Sequence, residues 1–131
     1  KSLKSLTIRQ LDEKDEEIAD DLISLGMSRP IARVLSYLKH VDEATTMDIE
    51  RGTGLRQPEV SIAMKQLKEY DWINEKEEKK PGKGRPYRIY SLKVKFNNII
   101  TQIEKQKKKA FADVVFKIQR LNVLGKTTPV G

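Results

Sequence analysis

The chain has 131 residues and a net charge of +7, with no cysteine and a single histidine. A chain of this length can form one domain with a real core, whereas disulfides, thiolate metal sites, thiol catalysis and histidine-based metal clusters are excluded. No apolar run approaches the ~18 residues of a membrane span. We therefore expect a cytoplasmic protein with no membrane contact, no metal and no cofactor.

Basic and acidic residues are segregated along the chain. Residues 79–95 contain seven bases and no acid, whereas residues 11–21 contain seven acids and one lysine. A concentrated basic patch suits a polyanion such as nucleic acid better than a diffuse excess does. The acidic run has the spacing of a solvated helix face, and residues 1–13 are interpreted as an N-terminal arm.

Four helical segments are predicted in the first half of the chain. The first covers about 14–25, where apolar residues recur at helical spacing and acids occupy the first turn. The second begins at Ser28 and ends near 39–41, where His40 is expected to cap the helix C-terminus. The third is short, begins at Thr45 or Thr46, and ends at the turn Gly52-Thr-Gly54.

The fourth helix is predicted from Gln57-Pro58 to about Tyr70, with a buried stripe at helical spacing made by Val60, Ala63, Met64 and Leu67. Two strands, Trp72–Glu78 and Pro86–Leu92, then flank the turn sequence KKPGKGR. A long helix is predicted over 93–121, and 122–131 are interpreted as a flexible tail. The expected fold class is mainly α with a small β-hairpin.

The short third helix, its tight turn and the fourth helix form a helix-turn-helix, and the hairpin behind them is the winged arrangement. The stretch TTMDIERGTGLRQPEVSIAMKQLKEYDWINEKEE, followed by PGKGRPYRIYSL, resembles the winged helix-turn-helix domains of prokaryotic transcriptional regulators. It is most similar to archaeal ones of the ArsR/MarR/TrmB type. The resemblance covers about residues 22–95 and implies a DNA-binding domain, which we place over 14–92 and which the helix 93–121 follows.

The fourth helix would be the recognition helix, because its polar face lies opposite the buried stripe and fits the major groove. Its candidate DNA-binding residues are Arg56, Gln57, Pro58, Glu59, Ser61, Ile62, Lys65, Gln66 and Lys68. We expect Gln57 to pair with adenine, Lys65 to reach guanine or phosphate, and Ile62 to touch a thymine methyl group. Glu59 would either accept a hydrogen bond from cytosine or repel the DNA backbone.

The hairpin would be a wing that holds the phosphate backbone or enters the minor groove. Its candidate DNA-binding residues are Lys79, Lys80, Lys83, Gly84, Arg85 and Arg88. Among the aromatic residues nearby, Trp72 is expected to close the core rather than to stack on bases.

The last helix is too long for the preceding domain to cover its apolar stripe, so a homodimer is expected. Its candidate interface residues are Phe96, Ile100, Ile103, Phe111, Val114, Val115, Ile118 and Leu121. Lys107 interrupts the stripe, which favours two partial seams over one continuous coiled coil.

The sequence therefore favours a homodimeric, sequence-specific regulator that binds double-stranded DNA. Two alternatives remain: a winged-helix protein–protein module of the transcription or replication machinery, and a sequence-independent chromatin protein. An enzyme is not expected, because no nucleophile–base set, phosphate loop or metal set occurs.

Overall fold

The structure, a computed structural model, describes residues 10–79, 84 and 86–127. This part of the chain forms five helices and three strands. In chain order they are α1 (Glu13–Ser24), α2 (Arg29–Leu38), β1 (Ala44–Thr45), α3 (Thr46–Thr53), α4 (Gln57–Glu69), β2 (Ile73–Glu78), β3 (Tyr87–Leu92) and α5 (Phe96–Thr127). The predicted mainly α fold with a hairpin is confirmed. The chain divides after Phe96 into two compact units.

Two helices of the first unit begin with reciprocal capping boxes. At α1, the Asp12 side chain accepts from the backbone N of Asp15 at 2.8 Å, and the Asp15 carboxylate accepts from the backbone N of Asp12 at 3.0 Å. At α3, Thr45 and Asp48 repeat the arrangement at 3.1 and 3.0 Å. Each box satisfies two backbone donors that the first turn leaves unpaired. Of the two predicted caps of α3, Thr45 is the one used.

The core of the first unit is built around α2, which is almost entirely buried. Helices α1, α3 and α4 all contact it. The predicted buried stripe of α4 is confirmed, since Val60, Ala63 and Leu67 are completely inaccessible to solvent and Met64 is nearly so. Trp72 is also buried, as expected. Burial of each large apolar side chain contributes about 1.5–3 kcal/mol to folding. The apolar face of α4 is therefore held against the core, and the opposite face points to solvent.

The three strands form an antiparallel sheet in the order β1-β3-β2. The predicted hairpin is present, with Ile73 opposite Leu92 and Glu78 opposite Tyr87. Strand β1 was not predicted, because two residues are too few for a periodic pattern and form a strand only by pairing with β3. Ile89 and Tyr90 point to opposite faces of the central strand, yet both are buried.

The side chain of His40 does not cap α2. Its Nε2 donates instead to the carboxylate of Asp15, a residue that is only 1% exposed. Burial by itself would raise the pKa of Asp15. Hydrogen bonds from His40 and from the backbone of Asp12 outweigh that effect and hold its pKa below the ordinary value of 3.8. The pair therefore links the first turn of α1 to the end of α2 with a charge-assisted bond.

The second unit is the helix α5. The predicted end at Leu121 is wrong, because the helix continues to Thr127 through Gly125. Glycine inside a helix costs only about 1 kcal/mol relative to alanine, so Gly125 does not stop it. The predicted start at 93 is also wrong, because the backbone N of Lys93 donates to the carbonyl of Trp72 at 2.8 Å before the helix begins.

Candidate nucleic-acid interface

The turn between α3 and α4 is held by several hydrogen bonds. Gly54 ends α3 with φ of 75°, a left-handed conformation that favours glycine. Thr53 is buried, and its hydroxyl donates to the Ile49 carbonyl at 2.6 Å and accepts from the backbone N of Leu55 at 3.2 Å. The angle between the two helices of the motif is therefore set by local bonds that the sequence encodes.

Arg33 of α2 ties this turn to the rest of the domain. Its Nε donates to the carbonyl of Thr53 at 2.9 Å, and its other two nitrogens contact the Glu16 carboxylate at 2.6 and 3.1 Å. Hydrogen bonds from Arg33 also hold the pKa of Glu16 below its ordinary value. One guanidinium thus joins α1, α2 and the last carbonyl of α3, which is the bidentate use for which arginine is suited.

The chain that leads into α1 also meets this turn. The backbone N of Leu11 donates to the carbonyl of Gly52 at 3.2 Å. Arg51, an exposed base in the last turn of α3, lies with Leu11 and Arg33 around the same small cleft. Arg51 was not among the predicted DNA-binding residues. It directly precedes the predicted turn in sequence, but only the fold places it at the same cleft as Leu11 and Arg33.

Helix α4 presents the predicted recognition residues to solvent. Arg56, Gln57, Pro58, Ser61, Ile62, Lys65, Gln66 and Lys68 are exposed, and Glu59 is half-buried. The amide of Gln57 donates to the Ser61 hydroxyl at 3.0 Å, which fixes these two side chains on one edge of the helix. Ile62 is 60% exposed, so an apolar group stands on the polar face where a thymine methyl could meet it.

Glu59 has a local structural role. Its carboxylate accepts from the backbone N of Arg56 at 3.0 Å and so caps the N-terminus of α4. The sequence suggested that Glu59 would contact cytosine or repel the DNA backbone. The capping bond gives a third role, in which the negative charge stabilises the positive end of the helix dipole.

A groove of about 280 Å³ runs between α4 and the hairpin. Its lining residues are Ser61, Met64, Lys65, Lys68, Glu75, Arg88 and Tyr90. Lys68 Nζ lies 3.0 Å from one carboxylate oxygen of Glu75, and Arg88 Nε lies 3.4 Å from the other. Two of the predicted DNA-binding bases are therefore paired with an acid that the sequence analysis did not single out.

The predicted wing is described only in part. Lys79 and Gly84 are exposed, and Gly84 has φ of 116°, a conformation that side chains rarely adopt. Arg88 lies in the groove and also approaches Glu77 at 3.8 Å. Lys80, Lys83 and Arg85 lie outside the described residues, so their role stays a prediction from sequence.

The predicted dimer-interface residues differ in exposure along α5. Phe96 is half-buried, Ile103 is 9% exposed and Ile100 is 37% exposed. The later members of the stripe are open to solvent: Phe111, Val114, Val115, Ile118 and Leu121. Three further apolar residues, Phe116, Val123 and Leu124, are also exposed. Phe116 lies off the stripe on which the prediction was based, and Val123 and Leu124 lie beyond the predicted end of the helix.

Two searches of the described residues give negative results. No helix there has both the length and the apolar character to cross a membrane. Within the same ranges no set of three or more histidine or acidic side chains is arranged to hold a metal ion.

Comparison with solved structures finds the same fold in transcriptional regulators. A possible transcriptional regulator from Methanosarcina mazei Go1 matches with a TM-score of 0.59 and 19% identity, over 77% of this chain and 85% of that one. A MarR-family transcriptional regulator from Silicibacter pomeroyi matches with a TM-score of 0.51 and 15% identity, over 83% and 81%. Another transcriptional regulator matches with a TM-score of 0.51 and 17% identity, over 88% and 76%.

No protein-family model and no curated protein matches the sequence. At identities of 15–19%, the similarity to solved structures is a similarity of fold. The chain therefore has the winged helix-turn-helix fold of these regulators, and the resemblance that was inferred from its motifs is confirmed at that level.

Proposed function

We propose that this protein is a transcriptional regulator that binds specific double-stranded DNA sites as a homodimer. The observation that carries the proposal is the exposed face of α4, where Gln57, Ser61 and Lys65 lie on one edge, beside a groove that Lys68 and Arg88 also line. The regulators from M. mazei and S. pomeroyi with the same fold support the assignment.

The chemistry of this face suits base reading. Helix α4 has 13 residues and is about 20 Å long, and an α-helix fits the ~12 Å major groove. A glutamine amide pairs with adenine through two bonds, and a lysine reaches guanine acceptors or phosphate. In the free protein the Gln57 amide is held by Ser61, so a base can replace Ser61 as its partner without a large loss of side-chain entropy.

The dimer is proposed from the exposed apolar side chains of α5. Phe111 is 69% exposed, Ile118 52% and Leu121 67%, and they recur on one side of the helix. Monomeric proteins rarely leave an apolar stripe of this length in water. A second copy about a two-fold axis would cover the stripe and would present two recognition helices to one duplex. We place this activity in the cytoplasm, on the nucleoid.

The direct test is selection of binding sites from a pool of random duplexes, followed by competition between the enriched duplex and unselected DNA. We expect at least a thousandfold preference for the enriched duplex. A chromatin protein that ignores sequence would bind both duplexes with similar affinity. A protein–protein module would enrich no duplex, and either result would contradict the proposal.

A further inference from the structure

We propose that Glu75 sets the specificity of DNA binding by restraining two basic residues of the interface. This inference rests on the proposed function, because it assigns a role to an acid within the same surface. Glu75 lies on β2, directly across the groove from α4, and it was not among the residues that the sequence identified.

The geometry makes Glu75 a bridge between the recognition helix and the hairpin. One oxygen is 3.0 Å from Lys68 Nζ on α4, and the other is 3.4 Å from Arg88 Nε on β3. The Glu75 side chain is only 18% exposed, whereas those of Lys68 and Arg88 are 52% and 58% exposed. The carboxylate therefore lies inside the groove while the two bases remain within reach of solvent.

Among the described residues that line this groove, Glu75 is the one acid and Lys65 is a third base. A partly buried carboxylate between two bases is much less screened than an exposed one. Its charge lowers the positive potential of the groove, which Ser61 and Lys65 also line, whereas Gln57 is not among the described lining residues.

This placement affects the two modes of DNA binding differently. Binding to random DNA depends on the number of phosphates that bases neutralise, and Lys68 and Arg88 must give up their contacts with Glu75 before they can bind phosphate. Binding to a preferred site depends in addition on base contacts, to which Glu75 does not contribute. Glu75 therefore lowers the affinity for random DNA more than the affinity for a preferred site. The ratio of the two affinities, which is the specificity, is larger as a result.

The test compares Glu75→Gln with Glu78→Gln. Both substitutions remove one negative charge from β2, but Glu78 contacts Lys76 and Tyr87 instead of the groove bases. For Glu75→Gln we expect the affinity for a random-sequence duplex in 0.1 M salt to rise about tenfold. We also expect the salt slope, which is the slope of log affinity against log salt concentration, to steepen by about 0.9 for each released base. The gain on the selected site should be smaller, and Glu78→Gln should match wild type closely.

A second pair of variants separates this role from a structural one. In a Lys68→Ala background one of the two restrained bases is gone, so Glu75→Gln should produce about half the change in salt slope. Loss of a purely structural contact would lower the melting temperature and would not steepen the slope. Thermal melting of each variant therefore accompanies the titrations.

The outcomes distinguish this inference from the function on which it rests. If wild type shows no preference for a selected duplex but Glu75→Gln alone steepens the slope, sequence-specific regulation fails and the restraint by Glu75 stands. If wild type is specific and the two glutamine variants have equal slopes, only the role of Glu75 is overturned. If no variant binds any duplex, both are overturned.

Discussion

Two regions differ in where their side chains find partners. They are the turn between α3 and α4 and the C-terminal half of α5. At the turn, Thr53 and Arg33 are hydrogen-bonded within the chain, and Leu55 is buried. In α5, large apolar side chains from Phe111 onward lie open to solvent. The contacts named at the turn are all formed within one copy of the chain. The stripe on α5 is stable in water only if something covers it, and this contrast motivates the homodimer.

The largest effect should come from placing charge on the stripe. Phe111→Asp combined with Val114→Asp would place two carboxylates in the proposed dimer seam, where burying them is prohibitive. We expect monomers in sedimentation equilibrium and a loss of about a thousandfold in affinity for a full site, because one recognition helix then acts alone.

The matched control for that variant is Phe116→Asp with Val123→Asp. These side chains are 64% and 60% exposed, but Phe116 lies about 140° around the helix from Phe111. The control should remain a dimer. A control that dissociates while the stripe variant stays dimeric would place the seam on the other side of α5.

The basic hairpin should contribute through charge alone. Replacing Lys80, Lys83 and Arg85 by alanine should weaken binding to all duplexes alike, and it should reduce the salt slope by about 0.9 per lost phosphate contact. Titrations over a range of salt concentrations measure this directly. An unchanged slope in the triple variant would mean that the hairpin does not meet the DNA backbone.

Arg33→Ala tests the turn itself. The variant leaves the buried carbonyl of Thr53 and the Glu16 carboxylate without this partner, so we expect a loss of about 1–3 kcal/mol in the free energy of unfolding by urea. Arg29→Ala, on the same helix but exposed, should change stability by less than about 0.5 kcal/mol. Equal effects of the two variants would show that the turn does not depend on Arg33.

The outer face of α4 should carry sequence preference. Gln57→Ala or Lys65→Ala should cost about 1–3 kcal/mol on the selected duplex and much less on random DNA. Glu69→Ala, an exposed residue at the end of the same helix, is the control and should leave the preference unchanged. Equal losses on both duplexes would contradict base reading by this face.

The smallest effect should come from pH. Because the pKa of Asp15 lies below 3.8 in the folded chain, its stabilising contribution is fully present above that ordinary value and is lost as the pH falls through the lower, folded value. Asp15→Asn removes this dependence. Urea unfolding from pH 6 to pH 2 should therefore bring the stabilities of the two proteins closer together, and a constant difference would contradict the role of the Asp15–His40 bond.

Local sequence signals were sufficient for much of the fold. The stripe of α4, the cap at Thr45, the Gly54 turn and the hairpin all follow from spacing and turn chemistry within a few residues. Strand β1 and the Asp15–His40 bond escaped prediction because they depend on residues that are distant in sequence. The end of α5 was misplaced because Gly125 was given more weight than the apolar residues around it.

The residues of the candidate site were likewise only partly predictable from the sequence. The exposed residues of α4 were identified from the face opposite the buried stripe. Three features required three-dimensional contacts: the capping role of Glu59, the cleft that Arg51 shares with Leu11 and Arg33, and the bridge made by Glu75. The assignment of Lys68 and Arg88 as free DNA-binding bases overlooked Glu75. An ion pair between two elements produces no periodic pattern in the sequence of either one.

The central claim is that two copies of this chain bind one duplex through α4, and it is tested most directly by sedimentation of the protein with its selected duplex. We predict a complex of two chains and one duplex, whose site is a pseudo-palindrome with half-sites about 10 base pairs apart or a multiple of that distance. A complex with a single chain on an asymmetric site, or no complex with any duplex, would contradict the account.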